Sequence, residues 1–141
     1  MVEDLYIACH RKLMDLSWRI IKKSRCNLAE LGFAWNQYSV LKILEQDQAM
    51  TLSEISARVH RKNSNVTPII DFLVSKGIAE RIPDEKDRRI IRVRLTDEGV
   101  AIREQAIAHH DNFIRQLYST LDEEEMKSFM DIVDVFLEKI K

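Results

Sequence analysis

Cysteine, glycine and proline are all scarce in this 141-residue chain, with two, three and two copies respectively. Each shortage closes off a class of function. Cys9 and Cys26 are too few and too far apart for a disulfide framework or a pair of zinc ligands at metal spacing, so reduced thiols in the cytosol are expected. There is no Gly-rich phosphate loop, no paired acid and base, and no nucleophile with a base at usable spacing. Neither an enzyme nor a cofactor is expected. No apolar run approaches the roughly 18 residues needed to cross a bilayer. The N-terminal Met-Val-Glu-Asp is acidic where a secretory signal would be basic. A cytoplasmic protein without a membrane partner is the expectation. Internal repeats and low-complexity tracts are absent as well.

What is present is unevenly distributed. An apolar content of 45% fits one core with an appended helical layer. The net charge of −1 argues on its own against nucleic acid. Residues 51–96, however, hold ten Lys or Arg against six Asp or Glu, a net of +4, while the remainder holds 12 against 17, a net of −5. A basic module on an acidic frame is a directed electrostatic footprint.

That module has its own order. Thr51 and Glu54 stand at capping-box spacing and predict a short helix through Ile55 and Val59. After His60, Arg61, Lys62 and Asn63 comes a second helical pattern, with Val66, Ile69, Ile70, Leu73 and Val74 on one face and Gly77 as a left-handed C-terminal cap. Its opposite face begins with Ser64, Asn65, Thr67, Pro68 and Asp71, which suit a groove better than a core. Ile78 to Pro83 and Ile90 to Thr96 bracket the charged segment Asp84-Glu85-Lys86-Asp87-Arg88-Arg89. The second run alternates, with Ile91, Val93 and Leu95 on one side and Arg92 and Arg94 on the other, which predicts a two-stranded wing.

Helices flank this module. Residues 4–25 place Leu5, Cys9, Leu13, Leu16 and Ile20 on one stripe, which Val2, Tyr6, Ile7 and Ile21 widen beyond the need of a lone helix. Asn36 is the expected cap of a helix carrying Tyr38, Leu41 and Leu44. Thr96 is the expected cap of a long helix through Ile102, Ala106, Phe113 and Leu117. Asp122 with Glu125 starts a last helix whose Met126, Phe129, Met130, Val133, Phe136, Leu137 and Ile140 crowd one side. Such surplus apolar surface predicts that the two terminal arms knit a homodimer.

Helix-turn-helix followed by a charged wing resembles the winged-helix domain of the MarR (multiple antibiotic resistance regulator) family. The segments that match are "TLSEISARV", "NVTPIIDFLVSKGIAER", "DEKDRR" and "RLTDEG", and with an arm on each side the likeness covers nearly the whole chain. The fold implied is mainly α with a small antiparallel β-wing. Residues 36–96 would be the DNA-binding domain, and 1–35 and 97–141 the helical dimerisation arms. The function implied is a sequence-specific regulator, a repressor before an activator, acting as a homodimer on double-stranded DNA.

The N-terminal end of the second helix is then expected to enter the major groove, with Ser64, Asn65 and Thr67 at base edges, Asn63 or Ser64 also capping the helix, Asn63 and Pro68 within the same DNA-binding surface, and Arg61 and Lys62 on phosphates. The resemblance also implies a wing arginine in the minor groove, Arg88 or Arg89, with Asp87 orienting an arginine. Pro68 and Phe72 stand where the family often has basic residues, which shifts weight from the helix to the wing. The family's organic-peroxide-sensing branch often has a Thr-Pro pair like Thr67-Pro68 and an oxidisable N-terminal cysteine, which makes Cys9 the candidate redox residue, although a buried structural Cys9 is the favoured expectation. His10 is adjacent in sequence, but neighbouring side chains on a helix point apart. Small-molecule release is the other family theme, with aromatic acids or similar effectors, and Trp18, Trp35 and Tyr38 as candidate pocket residues. His109, His110 and Asp111 invite a metal reading, yet no further ligand is at hand, and a solvated helix face is expected with no metal bound. An adaptor that binds protein through the wing is the rival outside DNA binding.

Overall fold

In the computed structural model, residues 2 and 4–140 are described; Met1 and Glu3 of the acidic N-terminal stretch, and Lys141, lie outside the described residues. The described residues run through nine elements: α1 (Leu5–Ala29), α2 (Trp35–Ile43), β1 (Met50–Thr51), α3 (Leu52–Arg58), α4 (Asn63–Ser75), β2 (Ala79–Pro83), β3 (Ile91–Leu95), α5 (Asp97–Leu117) and α6 (Glu123–Lys139). Residues up to His110 form one compact unit and 111–141 a second. The expected class, mainly helical with a small antiparallel sheet, is what the chain adopts.

Local chemistry sets most of the boundaries in the first unit. Asp4 accepts from the Tyr6 amide at the start of α1. Gly32, at φ 83°, turns the chain toward α2. The start of α2 departs from expectation: Asn36 is inside the helix, and the capping residue is Ala34, whose own N–H donates to Gln37 Oε1 at 2.9 Å. With no side-chain oxygen at Ala34, the cap rests on Gln37 alone. Thr51 and Glu54 form the reciprocal capping box of α3, at 3.2 and 3.0 Å. His60, at φ 55°, makes the tight turn into α4. Gly77, at φ 72°, closes α4, and Ile78 N–H donates to Leu73 C=O at 3.0 Å.

The sheet has three strands, in the order β1-β3-β2, and all pairs are antiparallel. The expected two-stranded wing is present as β2 and β3, and β1 adds a third strand that the sequence did not announce. Met50 pairs with Val93 and Thr51 with Arg92, so a two-residue strand too short to show any alternation ties the start of α3 to the wing. In β3, Val93 and Leu95 are buried, while Ile91 is exposed because it pairs with Pro83, out where the ribbon leaves the core. The core itself gathers Leu28, Leu41, Leu44, Ile55, Val66, Ile70, Leu73 and Leu95, all at or near zero exposure. The predicted inner face of α4 is thus buried from Val66 to Leu73, with Val74 half-buried beside it.

Thr96 makes the joint between the wing and α5. Its N–H donates to Ile78 C=O at 3.0 Å, its hydroxyl donates to Gly77 C=O at 2.6 Å, and the same oxygen accepts from Gly99 N–H at 3.0 Å. Gly99 lies directly over the Ile78 backbone, where a Cβ would meet the Ile78 carbonyl oxygen at 1.8 Å.

The second unit contains the end of α5 and all of α6. Asp122 and Glu125 form a second capping box, at 2.8 and 3.3 Å. No residue of α6 is buried in the single chain, and Phe136, Leu137 and Ile140 are all more than half exposed. In the first unit, α1 likewise leaves Leu5, Tyr6, Leu13, Leu16 and Ile21 exposed.

Candidate nucleic-acid interface

Every side chain expected at the reading end of α4 faces solvent. Arg61, Lys62, Asn63, Ser64, Asn65, Thr67 and Pro68 are all exposed, on the face opposite Val66, Ile69 and Ile70. The expected cap at Asn63 or Ser64 is overturned: the capping residue is Lys62, so no side chain caps the first turn. Asn63 instead donates to Ser53 Oγ at 3.2 Å, bracing α4 against α3, and the Thr67 hydroxyl donates to the Asn63 carbonyl at 3.0 Å. Among the described residues Ser64 and Asn65 have no such side-chain engagement, which leaves their polar groups available to base edges. Pro68 has no N–H to give to the Ser64 carbonyl four residues back, which leaves an acceptor near the same end. A hollow of about 510 Å³ collects Arg61, Ser64, Asn65 and Pro68 with Asn36 and Gln37 of α2. The sequence offers neither α2 residue as part of this surface, because nothing in the chain between them and α4 signals their approach.

At the wing the acids sort the arginines. Asp87 receives Arg89 through two hydrogen bonds, at 3.1 and 3.2 Å, and also accepts from the Arg89 amide. The arginine it orients is therefore Arg89, whose side chain stays 91% exposed. Arg88 has no acidic partner among the described residues and stands exposed. Asp84 holds the turn, accepting from the Lys86 and Asp87 amides at 3.1 and 3.0 Å and from Arg92 Nε. The Arg92 hydrogen bond is the main cause that draws the Asp84 carboxyl below its ordinary range, and Arg89 does the same for Asp87. The Arg92 guanidinium in turn is raised by Asp84.

Arg92 also donates to the Ala49 carbonyl at 3.3 Å and reaches Glu54 at 3.5 Å. One side chain thereby links the wing turn, the segment before β1 and the cap of α3. Alternation in β3 placed Arg92 on the outer side of the ribbon but carried no hint of this bracing. Arg81 with Asp71 and Arg94 with Glu80 are also paired. Positive charge is thus neutralised along the ribbon and left unpaired at Arg61, Lys62 and Arg88, among the described residues.

The other candidate residues fall elsewhere. The expected burial of Cys9 is overturned: Cys9 and Cys26 are both exposed and free on α1, whose apolar stripe is uncovered in the single chain. The ring of Trp18 lies under the Lys22 ammonium, 5.0 Å from its centroid, whereas Trp35 and Tyr38 both set edge contacts on His110 at 6.1 and 5.2 Å. Tyr38 is a core residue, 2% exposed. The expected solvated face at His109 and His110 is overturned. His110 is buried at 4% exposure, and Asn27 bridges the two rings, its Oδ1 3.1 Å from His110 Nδ1 and its Nδ2 3.1 Å from His109 Nε2. Adjacent ring directions diverge on a helix, yet a single amide with two ends can reach both.

Comparison with known proteins agrees with this geometry. The MarR family model matches residues 33–91. The HTH-type transcriptional regulator PapX of Escherichia coli is 31% identical over 123 residues, covering 83% of this chain and 75% of that protein. Among solved structures, the YusO protein from Bacillus subtilis superposes with a TM-score of 0.79 at 27% identity, covering 98% of this chain and 99% of the other. A variant of MarR from Escherichia coli, complexed with operator DNA, gives a TM-score of 0.73 at 25% identity over 96% and 99% of the two chains. With its helix-turn-helix, three-stranded wing and flanking helices, this chain belongs to the MarR family of transcription regulators.

Proposed function

We propose that the protein is a homodimeric repressor that binds a pseudo-palindromic operator, each subunit placing Ser64, Asn65 and Thr67 in a major groove and Arg88 or Arg89 in the neighbouring minor groove. The observation that carries this is the sorting of charge: the ribbon arginines are held by acids, while Arg61, Lys62 and Arg88 are exposed without an acidic partner among the described residues. Two reading heads related by a two-fold axis meet successive major grooves about 34 Å apart, which is the source of operator symmetry. The exposed apolar stripes of α1 and α6 support pairing of two copies, since surfaces of that kind seldom stay wet. The operator complex solved for Escherichia coli MarR supports the DNA-bound state.

Release by a small effector has a specific observation in its favour. A cavity of about 420 Å³ is lined by Phe33, Phe72, Ile78, Ile102 and Ala106, with Lys76 as the cationic side chain. Apolar walls with one ammonium suit an aromatic acid. This cavity does not include Trp18, Trp35 or Tyr38, the residues suggested by sequence.

The test is to select binding sites from random duplex DNA, titrate the recovered duplex with wild-type and Arg88→Ala protein, and challenge the complex with aromatic acids and oxidants. Arg88→Ala is expected to weaken binding strongly with the dimer intact. A selection that yields no enriched sequence and no salt-sensitive binding would refute DNA binding in favour of the adaptor role.

A further inference from the structure

We infer that Arg25, on α1, is a further DNA contact that acts with Arg61 to seat a backbone phosphate beside the half-site read by α4. This rests on DNA binding as proposed for α4 and the wing.

The two guanidiniums come from residues 36 positions apart in the chain, yet they line one hollow of about 470 Å³ together with Phe33, Trp35 and Asn36. Among the described residues no acidic side chain lines it. Both arginines are exposed, and neither has an acidic partner among the described residues. Arg19, Arg81, Arg89, Arg92, Arg94 and Arg103 are each paired with a carboxylate, whereas Arg25 and Arg61 share one hollow and have only each other as charged lining. Bringing two like charges to one apolar-floored hollow with no internal counter-charge is unfavourable unless an anion joins them. The guanidinium fork matches phosphate oxygens bidentately, which makes arginine suited to such a place.

The hollow's position indicates which anion. Arg61 and Asn36 belong also to the neighbouring hollow, which contains Ser64 and Asn65. A continuous strip therefore runs from the base-reading end of α4, through Arg61, to Arg25. With α4 in the major groove, the side chains next beyond its N-terminal end meet the sugar-phosphate wall and not base edges. Arg25 would then add affinity without adding sequence information. The helical arm would itself touch DNA, so a change in arm geometry would reach the duplex directly as well as through the spacing of the reading heads.

The experiment compares wild-type, Arg25→Ala and Arg25→Lys proteins by fluorescence anisotropy, using a duplex selected by the wild-type protein and a scrambled duplex of equal length. Arg88→Ala serves as the reference variant. Arg25→Ala is expected to lose affinity by the same factor on both duplexes. Its plot of log affinity against log salt should be shallower by about one per lost contact, about two for paired heads, or roughly a tenfold smaller fall between about 50 and 200 mM salt. Arg25→Lys should keep the wild-type slope, and the thermal midpoint should not move. A wild-type slope in Arg25→Ala, on a duplex that Arg88→Ala binds more weakly, would overturn the Arg25 contact and leave the reading heads standing. A loss confined to the selected duplex would also overturn it. If the wild-type protein binds neither duplex, DNA binding and the Arg25 contact fall together.

Discussion

Gly99→Ala should destabilise this protein severely, although helix propensity predicts the opposite sign. Gly99 is in the first turn of α5, where exchange of glycine for alanine ordinarily favours a helix by up to about 1 kcal/mol. Here the added Cβ would stand 1.8 Å from the Ile78 carbonyl oxygen, 1.6 Å short of the 3.4 Å at which ordinary contact begins. The Ile78 atoms are backbone and the Cβ is fixed by its own backbone, so no rotamer relieves the overlap and α5 must back away from the residue that precedes β2. That movement stretches the 3.0 Å bond from Thr96 N–H to Ile78 and disturbs the Thr96 hydroxyl between Gly77 and Gly99. Overpacking costs about 1 to 3 kcal/mol, and each weakened hydrogen bond adds about 0.5 to 1.5 kcal/mol. Together they suggest a loss on the order of 3 to 5 kcal/mol, which lowers the thermal midpoint by roughly 10 to 20 °C. Gly32→Ala is the control: its φ of 83° is strained for alanine, but nothing lies within 4 Å, and about 1 to 2 kcal/mol is expected. Urea and thermal unfolding at one fixed protein concentration decide the matter, because dimerisation would make stability concentration-dependent. A Gly99→Ala protein as stable as wild type, or no less stable than Gly32→Ala, would show that the close approach at Ile78 does not exist.

Other consequences can be measured separately. Asn65→Ala should flatten discrimination among half-site base substitutions by about 1 to 3 kcal/mol at the position read, and an unchanged substitution panel would remove Asn65 from base contact. Asn27→Ala leaves the buried His110 ring without the amide oxygen and should cost about 1 to 3 kcal/mol, while His109→Ala, at the more exposed end of the bridge, should cost less; urea titration yielding the reverse order would contradict the bridge. Asp84 and Asp87 ionise below the ordinary aspartate value of 3.8, so the order they give to the wing is complete above that value and is lost only as pH falls through the lowered pKa. Amide chemical shifts of Lys86, Asp87 and Arg89 should therefore hold steady from neutral pH to about 4 by this linkage, and an inflection near pH 5 would exclude the two arginine pairs.

The parts of this protein that could be read directly were those governed by neighbours in the chain. Two capping boxes, the buried face of α4 and the left-handed Gly77 depend on residues within one or two turns of each other, and their spacing states the outcome. The exposed polar end of α4 and the charged wing tip were legible for the same reason. The cap of α2 was misread because capping depends on where the backbone leaves the helix: Asn36 has the right side chain, but Ala34 has the right position. Strand β1 escaped notice because two residues carry no period.

Long-range geometry decided the remainder. Local sequence determined which segments become helix and strand, since hydrogen-bonding partners and apolar periodicity act over a few residues. Tertiary packing alone determined that Arg92 joins the wing to the α3 cap, that Asn27 spans His109 and His110, and that Arg25 comes to line one hollow with Arg61. Charge and hydrogen-bond pairing fall off within a few ångströms, so the partner of each group is set by which distant segments the core brings together, a quantity that composition and spacing do not contain.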